Sequence, residues 1–144
     1  RNEVIFERRT FKDREWISDG ASSRTIQIGG ESSMNISTHI VDPSRGRPAI
    51  DPPVKLERLD GGEWSLVTES LTNSDGRVKA MVKGQDLEVG IYRVHFETKV
   101  YFEPRGVQTF YPYVEIVFEV SNADKHHHIP LLLSPYGYST HADV

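Results

Sequence analysis

Three consecutive histidines, His126-His127-His128, are the residues whose type and spacing first suggest chemistry in this sequence. On an extended chain side chains alternate, so His126 and His128 share one face and His127 points to the other. Two imidazoles at positions i and i+2 can chelate a metal or pass protons near neutral pH, since the free ring titrates at about 6.5. They can also be no more than the polar start of a half-buried strand, and the tripeptide alone favours that plainer reading. His39 lies inside Asn35-Ile36-Ser37-Thr38-His39-Ile40-Val41-Asp42, a run otherwise suited to a core strand. A lone histidine there is most often a hydrogen-bonded structural residue. Arg77 follows the Asp75-Gly76 turn and opens the next extended segment, where an arginine is most often solvated. Residue types alone therefore leave a His/Arg site as the minority reading.

Other chemistries are absent from the sequence. No glycine cluster has the spacing of a phosphate loop, and no Gly-x-Ser-x-Gly elbow occurs. There is no cysteine, so disulfides, thiolate metal ligands and a cysteine nucleophile are excluded together. Carboxylates are numerous, but spacing singles out none, and they read as solvated strand faces. A net charge of -4 gives no positive field to gather phosphate backbones, so no nucleic-acid partner is expected. No stretch approaches the roughly 18 apolar residues of a membrane span, and the run Ile129 to Leu133 is interrupted by Pro130. No membrane association is expected.

The elements that would position these residues are mostly strands. With 144 residues the chain is long enough for one sizeable core and short for two domains. A mean hydropathy of -0.48 suggests that part of the length is solvated. Residues 1–34 are rich in charge, Ser and Gly and close on Gly29-Gly30 and Ser32-Ser33, as a flexible N-terminal extension would. Its apolar residues Val4, Ile5, Phe6, Phe11 and Trp16 could still dock elsewhere. Arg1 opens the chain with neither a methionine nor an apolar signal segment, which reads as a processed or trimmed start.

From residue 35 to 144 the expected unit is one domain of short strands separated by turns. They are Asn35 to Asp42, Val54 to Leu59, Trp64 to Leu71, Ile91 to Thr98, Tyr113 to Val120 and His127 to Leu133, with a last short strand after Pro135-Tyr136-Gly137. Breaks fall at Asp42-Pro43-Ser44-Arg45-Gly46-Arg47-Pro48, Asp60-Gly61-Gly62 and Asn73-Ser74-Asp75-Gly76. The clearest period of two sets Tyr92, Val94 and Phe96 against Arg93, His95 and Glu97. Only Thr98 to Pro104 looks helical. The pattern implies an all-β sandwich of two packed antiparallel sheets.

Three segments together resemble the transthyretin family, and within it the branch of 5-hydroxyisourate hydrolases. They are Ser37-Thr38-His39-Ile40-Val41-Asp42-Pro43-Ser44-Arg45-Gly46-Arg47-Pro48-Ala49, then Asn73-Ser74-Asp75-Gly76-Arg77-Val78, and the highly specific stretch from His126-His127-His128-Ile129-Pro130 through Leu131-Leu132-Leu133-Ser134-Pro135 to Tyr136-Gly137-Tyr138-Ser139-Thr140. Phe110-Tyr111-Pro112-Tyr113-Val114 also fits. The resemblance implies a sandwich of two four-stranded sheets with one short helix, assembled as a homotetramer whose central channel holds the sites. It implies hydrolysis of 5-hydroxyisourate to 2-oxo-4-hydroxy-4-carboxy-5-ureidoimidazoline in urate degradation, with no cofactor and no metal. The implied catalytic residues are His39, Arg77 and His128, with His39, Arg77, His126 and His141 contacting substrate. In the hormone carriers of the same fold those catalytic positions are typically lysine, glutamate and threonine.

The hydrolases typically finish Ser-Thr-Tyr-Arg-Gly-Ser, whereas here Ser139-Thr140 is followed by His141-Ala142-Asp143-Val144. That departure keeps a non-catalytic, ligand-binding relative as the alternative function. Opening a cyclic amide requires water to be deprotonated and an oxyanion to be stabilised. His128 or His39 is the expected general base, and the planar fork of Arg77 the substrate clamp. A zinc site built from His39, His126 and His128 is a further rival, opposed by the fixed charge of Arg77. Neither end carries a recognisable address, so the cytoplasm is the expected compartment, with peroxisome and periplasm still open.

Overall fold

The computed structural model of the chain describes residues 34–49 and 51–143. Apart from Met34, the N-terminal extension read from residues 1–34 lies outside the described residues. Among the described residues no helix is long and apolar enough to cross a membrane.

The strands are β1 (Ile36–Asp42), β2 (Arg47–Pro48), β3 (Pro53–Asp60), β4 (Glu63–Leu71), β5 (Arg77–Val78), β6 (Gly90–Phe96), β7 (Val114–Val120), β8 (His127–Ser134) and β9 (Gly137–Ser139), with one α-helix, α1 (Thr98–Phe102). They form two sheets. One has the order β4-β3-β6-β7, every neighbouring pair antiparallel. Its β3–β4 hairpin turns through Gly61 and Gly62, at φ 60° and 86°; two consecutive positive φ values make the tight turn whose twist matches that of the strands. The other sheet has the order β2-β1-β8-β9, with β5 also pairing β1. Both short strands lie on the edge of β1 opposite β8, because Val41 pairs Pro48 and Leu132, and His39 pairs Arg77 and Pro130. The sheet is thus four strands wide.

The sequence pattern pointed to antiparallel sheets, and here the structure differs. β1 and β8 run parallel over Ile36↔His127 to Val41↔Leu132. These strands stand at opposite ends of the domain, so no short connection forces them antiparallel. Most boundaries fall within one residue of expectation, and two differ by two residues. The strand expected over Ile91 to Thr98 ends at Phe96, and the helix from Thr98 stops at Phe102 and passes into a 3-10 turn at Glu103–Arg105. Pro104 has no amide hydrogen to continue an α-helix, and Gly106 closes the turn at φ 69°. β2 and β5 escaped the pattern because a two-residue strand carries no periodicity.

The core forms where the inner faces meet. Val54 and Leu56 of β3, Val94 and Phe96 of β6, and Ile36, Ile40, Leu131 and Leu133 of the facing sheet are buried. The even positions of β1 (Ile36, Thr38, Ile40, Asp42) face inward. Asp42 is fully buried and accepts hydrogen bonds from the Tyr101 hydroxyl at 2.9 Å, the Ser44 hydroxyl at 2.6 Å and the Ser44 amide at 3.1 Å. A buried carboxylate satisfied in this way anchors α1 to the end of β1. The odd positions Ser37, His39 and Val41 face outward.

The turn before β5 is fixed in detail. Asn73 Oδ1 accepts the amides of Asp75 and Arg77 at 2.8 and 3.0 Å, an Asx arrangement that shapes the backbone locally. Gly76 sits at φ +74°, and a Cβ there would lie 2.5 Å from the Ile40 carbonyl oxygen and 2.7 Å from Pro48 Cβ. Only glycine fits this approach to β1. Gly84 has a similar φ of +76° but open space around it. Gly76→Ala is expected to cost at least about 2 kcal/mol from left-handed strain plus the clash, lowering the thermal midpoint by roughly 5–10 °C. Gly84→Ala should cost clearly less, and equal midpoints for the two variants in thermal unfolding would contradict this account of the turn.

Candidate active site

The site is built on the outer face of the β1 sheet. Side chains at directly paired positions share a face. The registers His39↔Arg77 and Ser37↔His128 therefore set Ser37, His39, Arg77 and His128 on one surface. His126 precedes β8 by one residue and reaches the same group, with its Nε2 2.8 Å from Ser37 Oγ. The same hydroxyl lies 2.8 Å from Nδ1 of His128. Ser37 thus stands between two of the histidines that the sequence singled out. Its place two residues before His39 on a period-two strand was the available signal, and residue type alone did not reveal it.

His127, on the opposite phase, is half-buried, and its Nδ1 has no hydrogen-bond partner among the described residues. The start of β8 is aligned by Asn35. Its backbone carbonyl accepts the His127 amide at 2.8 Å, and its side-chain oxygen accepts the amides of Ile36 and Val82 at 2.7 and 2.9 Å. A buried amide satisfied from several segments fixes the start of both β1 and β8.

Two clefts adjoin these residues. One, of about 340 Å³, is lined by Ser37, Thr38, Arg77, Val78, Lys79 and His126. The other, of about 630 Å³, includes His126, His128, Glu119, Lys125, Thr140, His141 and Asp143 in its lining. His126 is common to both. His141 is thereby brought into the same cleft as His128, and Asp143 and Lys79 join as charged groups that the sequence did not single out. Nothing local could have found Asp143, because its position depends on how the segment after β9 returns over β8. Thr140 guides that return, its hydroxyl donating to the Pro130 carbonyl at 2.6 Å. His39 lines neither cleft and meets the group through its pairing with Arg77.

The electrostatics favour neutral imidazoles. Partial burial holds the His39 ring below the usual imidazole value, and the Arg77 guanidinium adds to the effect; a hydrogen bond to the Asp75 backbone and the Asp75 carboxylate push the other way. The His128 ring is also held low, first by burial; Asp143 opposes this, while Arg77, His39 and His126 reinforce it. Desolvation and nearby positive charge both penalise the imidazolium. Two neutral rings beside a permanent cation can accept a proton and hold an electron-rich or anionic ligand. Among the described residues, no cluster of three or more histidine, cysteine, aspartate or glutamate side chains is spaced to hold a metal ion.

A family model described as "HIUase/Transthyretin family" matches residues 36–142. A 5-hydroxyisourate hydrolase from Salmonella dublin is 41% identical over 106 residues, covering 74% of this chain and 78% of that protein. The crystal structure of sea bream transthyretin in complex with thyroxine is similar at a TM-score of 0.72 and 31% identity, covering 76% of this chain and 94% of the other. The structure of Klebsiella pneumoniae 5-hydroxyisourate hydrolase is similar at a TM-score of 0.66 and 32% identity, covering 77% and 94%. The backbone is thus similar both to a transthyretin solved with thyroxine and to a 5-hydroxyisourate hydrolase. On the extent of the family match and the identity to its members, the chain belongs to the HIUase/Transthyretin family.

Proposed function

We propose that this chain hydrolyses 5-hydroxyisourate, opening its ring amide to give 2-oxo-4-hydroxy-4-carboxy-5-ureidoimidazoline. The observation that carries the reading is the set His39, Arg77 and His128, held on one sheet face by two registers. The carriers of this fold typically have lysine, glutamate and threonine there. The curated relatives named as hydrolases add support.

In the proposed mechanism His128 is the general base. Its Nδ1 is engaged by Ser37, which leaves Nε2 for water. Water gives a proton to Nε2 as its oxygen bonds to the ring carbonyl carbon, and the carbonyl electrons move to oxygen. Arg77 holds the substrate through paired N–H donors and offsets the developing negative charge. The tetrahedral centre collapses, the ring C–N bond breaks, and the released nitrogen takes the proton from His128. The products are a carboxylic acid, which gives its proton to solvent at neutral pH, and a ureido group, so atoms and charge balance with water as the only co-reactant. His39, opposite Arg77 in the register of β1 and β5, flanks the guanidinium end of the site.

A closed homotetramer fits this reading. Among the described residues β7 and β9 are edge strands, and Val117, Leu132 and Tyr138 are exposed at 57%, 40% and 43% on outer faces. Unpaired edges and exposed apolar side chains together favour symmetric self-association. It would enclose the outer face of β1 and β8 and keep the substrate from bulk water.

Loss of freshly generated 5-hydroxyisourate, followed optically with and without a chelator, tests the function. Turnover well above the spontaneous rate and insensitive to chelator is expected; decay at the spontaneous rate would leave the chain a ligand-binding relative without this activity. Arg77→Ala should lower kcat/KM at least about tenfold, as one charge-assisted contact is worth roughly 1.5–3 kcal/mol. The same substitution removes a positive neighbour from both imidazoles, so their pKa values rise toward about 6.5. The acid limb of kcat/KM, expected below that value in the parent, should move to higher pH in the variant. An unmoved limb in the pH profile would separate Arg77 from the ionising groups.

A further inference from the structure

Ser37 is 8% exposed and touches two imidazoles at 2.8 Å each. A hydroxyl carries one proton, so it can donate to only one of them. Among the described residues no other acceptor lies within hydrogen-bond distance of Ser37 Oγ, so its proton is paired only when one ring accepts it and the other ring donates. The tautomers of His126 and His128 are therefore not independent.

Two arrangements satisfy both contacts and also pair the Ser37 proton; a third, in which both rings donate to the Oγ lone pairs, leaves that proton without an acceptor among the described residues. In the first, His128 carries its proton on Nδ1 and donates to Ser37 Oγ, and Ser37 donates to Nε2 of His126. Nε2 of His128 is then a free lone pair. In the second, every direction reverses: His126 donates from Nε2, Ser37 donates to Nδ1 of His128, and the His128 proton occupies Nε2. A ring protonated there has no lone pair to offer water. The first arrangement accepts a proton at Nε2 without moving any heavy atom, since Nδ1–H goes on donating to Ser37.

We propose that Ser37 is a positioning residue that couples the protonation of His126 to the basicity of His128. When His126 becomes an imidazolium, its Nε2 can only donate, and the second arrangement is then the one that keeps the Ser37 proton paired. The exposed histidine thereby switches off the base from which it is separated by one hydroxyl. The inference rests on the reading of His128 as general base. Charged and titratable groups face the pair from every side: His39 on β1, Arg77 on β5 with Lys79 just beyond it, Glu119 on β7, Lys125 before β8, and His141 and Asp143 after β9. Ser37 fixes the direction of the coupling.

Two measurements test this on the full chain. In steady-state kinetics Ser37→Ala should lower kcat at least about tenfold, a fraction of what a positioned base supplies, with KM within about twofold. Ser37→Thr, which keeps the hydroxyl, should restore most of it. A hydroxyl that merely fills space would leave kcat unchanged in both variants, and that result would overturn the proposal. Ring-nitrogen NMR of histidine-labelled protein reads the tautomers without turnover. His128 should be the Nδ1–H tautomer at high pH and shift to Nε2–H as His126 titrates, and in Ser37→Ala the shift should disappear. A His128 tautomer indifferent to His126 in the parent would overturn the coupling, even in an active enzyme. Coupled tautomers in a protein that does not turn over 5-hydroxyisourate would sink the hydrolase reading and leave the coupling standing.

Discussion

β1 is held on one edge by β5, with His39 opposite Arg77, and on the other by β8, with Ser37 opposite His128. The shared face of Ser37, His39, Arg77 and His128 follows from those two registers. Because side chains alternate along a strand, a slip of one residue in either pairing would send its partner to the other face. His127 would then stand beside Ser37 in place of His128. The registers are held by groups remote from any chemistry: Gly76 gives β5 its close approach to Ile40, Asn73 ties the turn, and Asn35 pins the starts of β1 and β8. The inward residues of the same strands are the hydrophobic core. Packing energy and site geometry thus share one constraint.

That geometry sets the charge state of the site. His39 and His128 lie partly buried beside Arg77 and are held neutral where free imidazole would begin to protonate. One cation therefore keeps the nearby rings able to accept protons, and in the proposed mechanism it also holds the electron-rich substrate. The segment after β9 adds the opposing charge of Asp143 at His128. Where the hydrolase pattern has Tyr-Arg-Gly-Ser, His141 and Asp143 line the cleft with His126 and His128. Histidine at 141 keeps a hydrogen-bonding ring, while the carboxylate at 143 pulls the base upward.

The major strands were legible because they alternate: Tyr92, Val94 and Phe96 face the core as their spacing requires. The Gly61-Gly62 hairpin was legible for the same local reason. The parallel pairing of β1 with β8 was not, since no local pattern records which distant strand becomes a neighbour. β2 and β5 are too short for any period, although β5 carries Arg77. Of the site, His39, Arg77 and His128 stood out only once three separated segments were taken together as a resemblance. Ser37 was missed because a serine on a strand is unremarkable until two rings meet at its hydroxyl. Asp143 was missed because its neighbours are set by the return of the chain over β8.

The central claim is that the outer face shared by β1, β5 and β8 is where the substrate is held and attacked. A crystal structure of the protein with a stable purine-derived ring, such as urate, bears on it most directly. The account predicts the ring against this face, with the Arg77 fork on its polar edge. It also predicts a carbonyl carbon within about 3.5 Å of a water bound to Nε2 of His128, a near-attack distance. A ligand seated away from Arg77 and His128, or bound only through the apolar lining of the larger cleft, would contradict it.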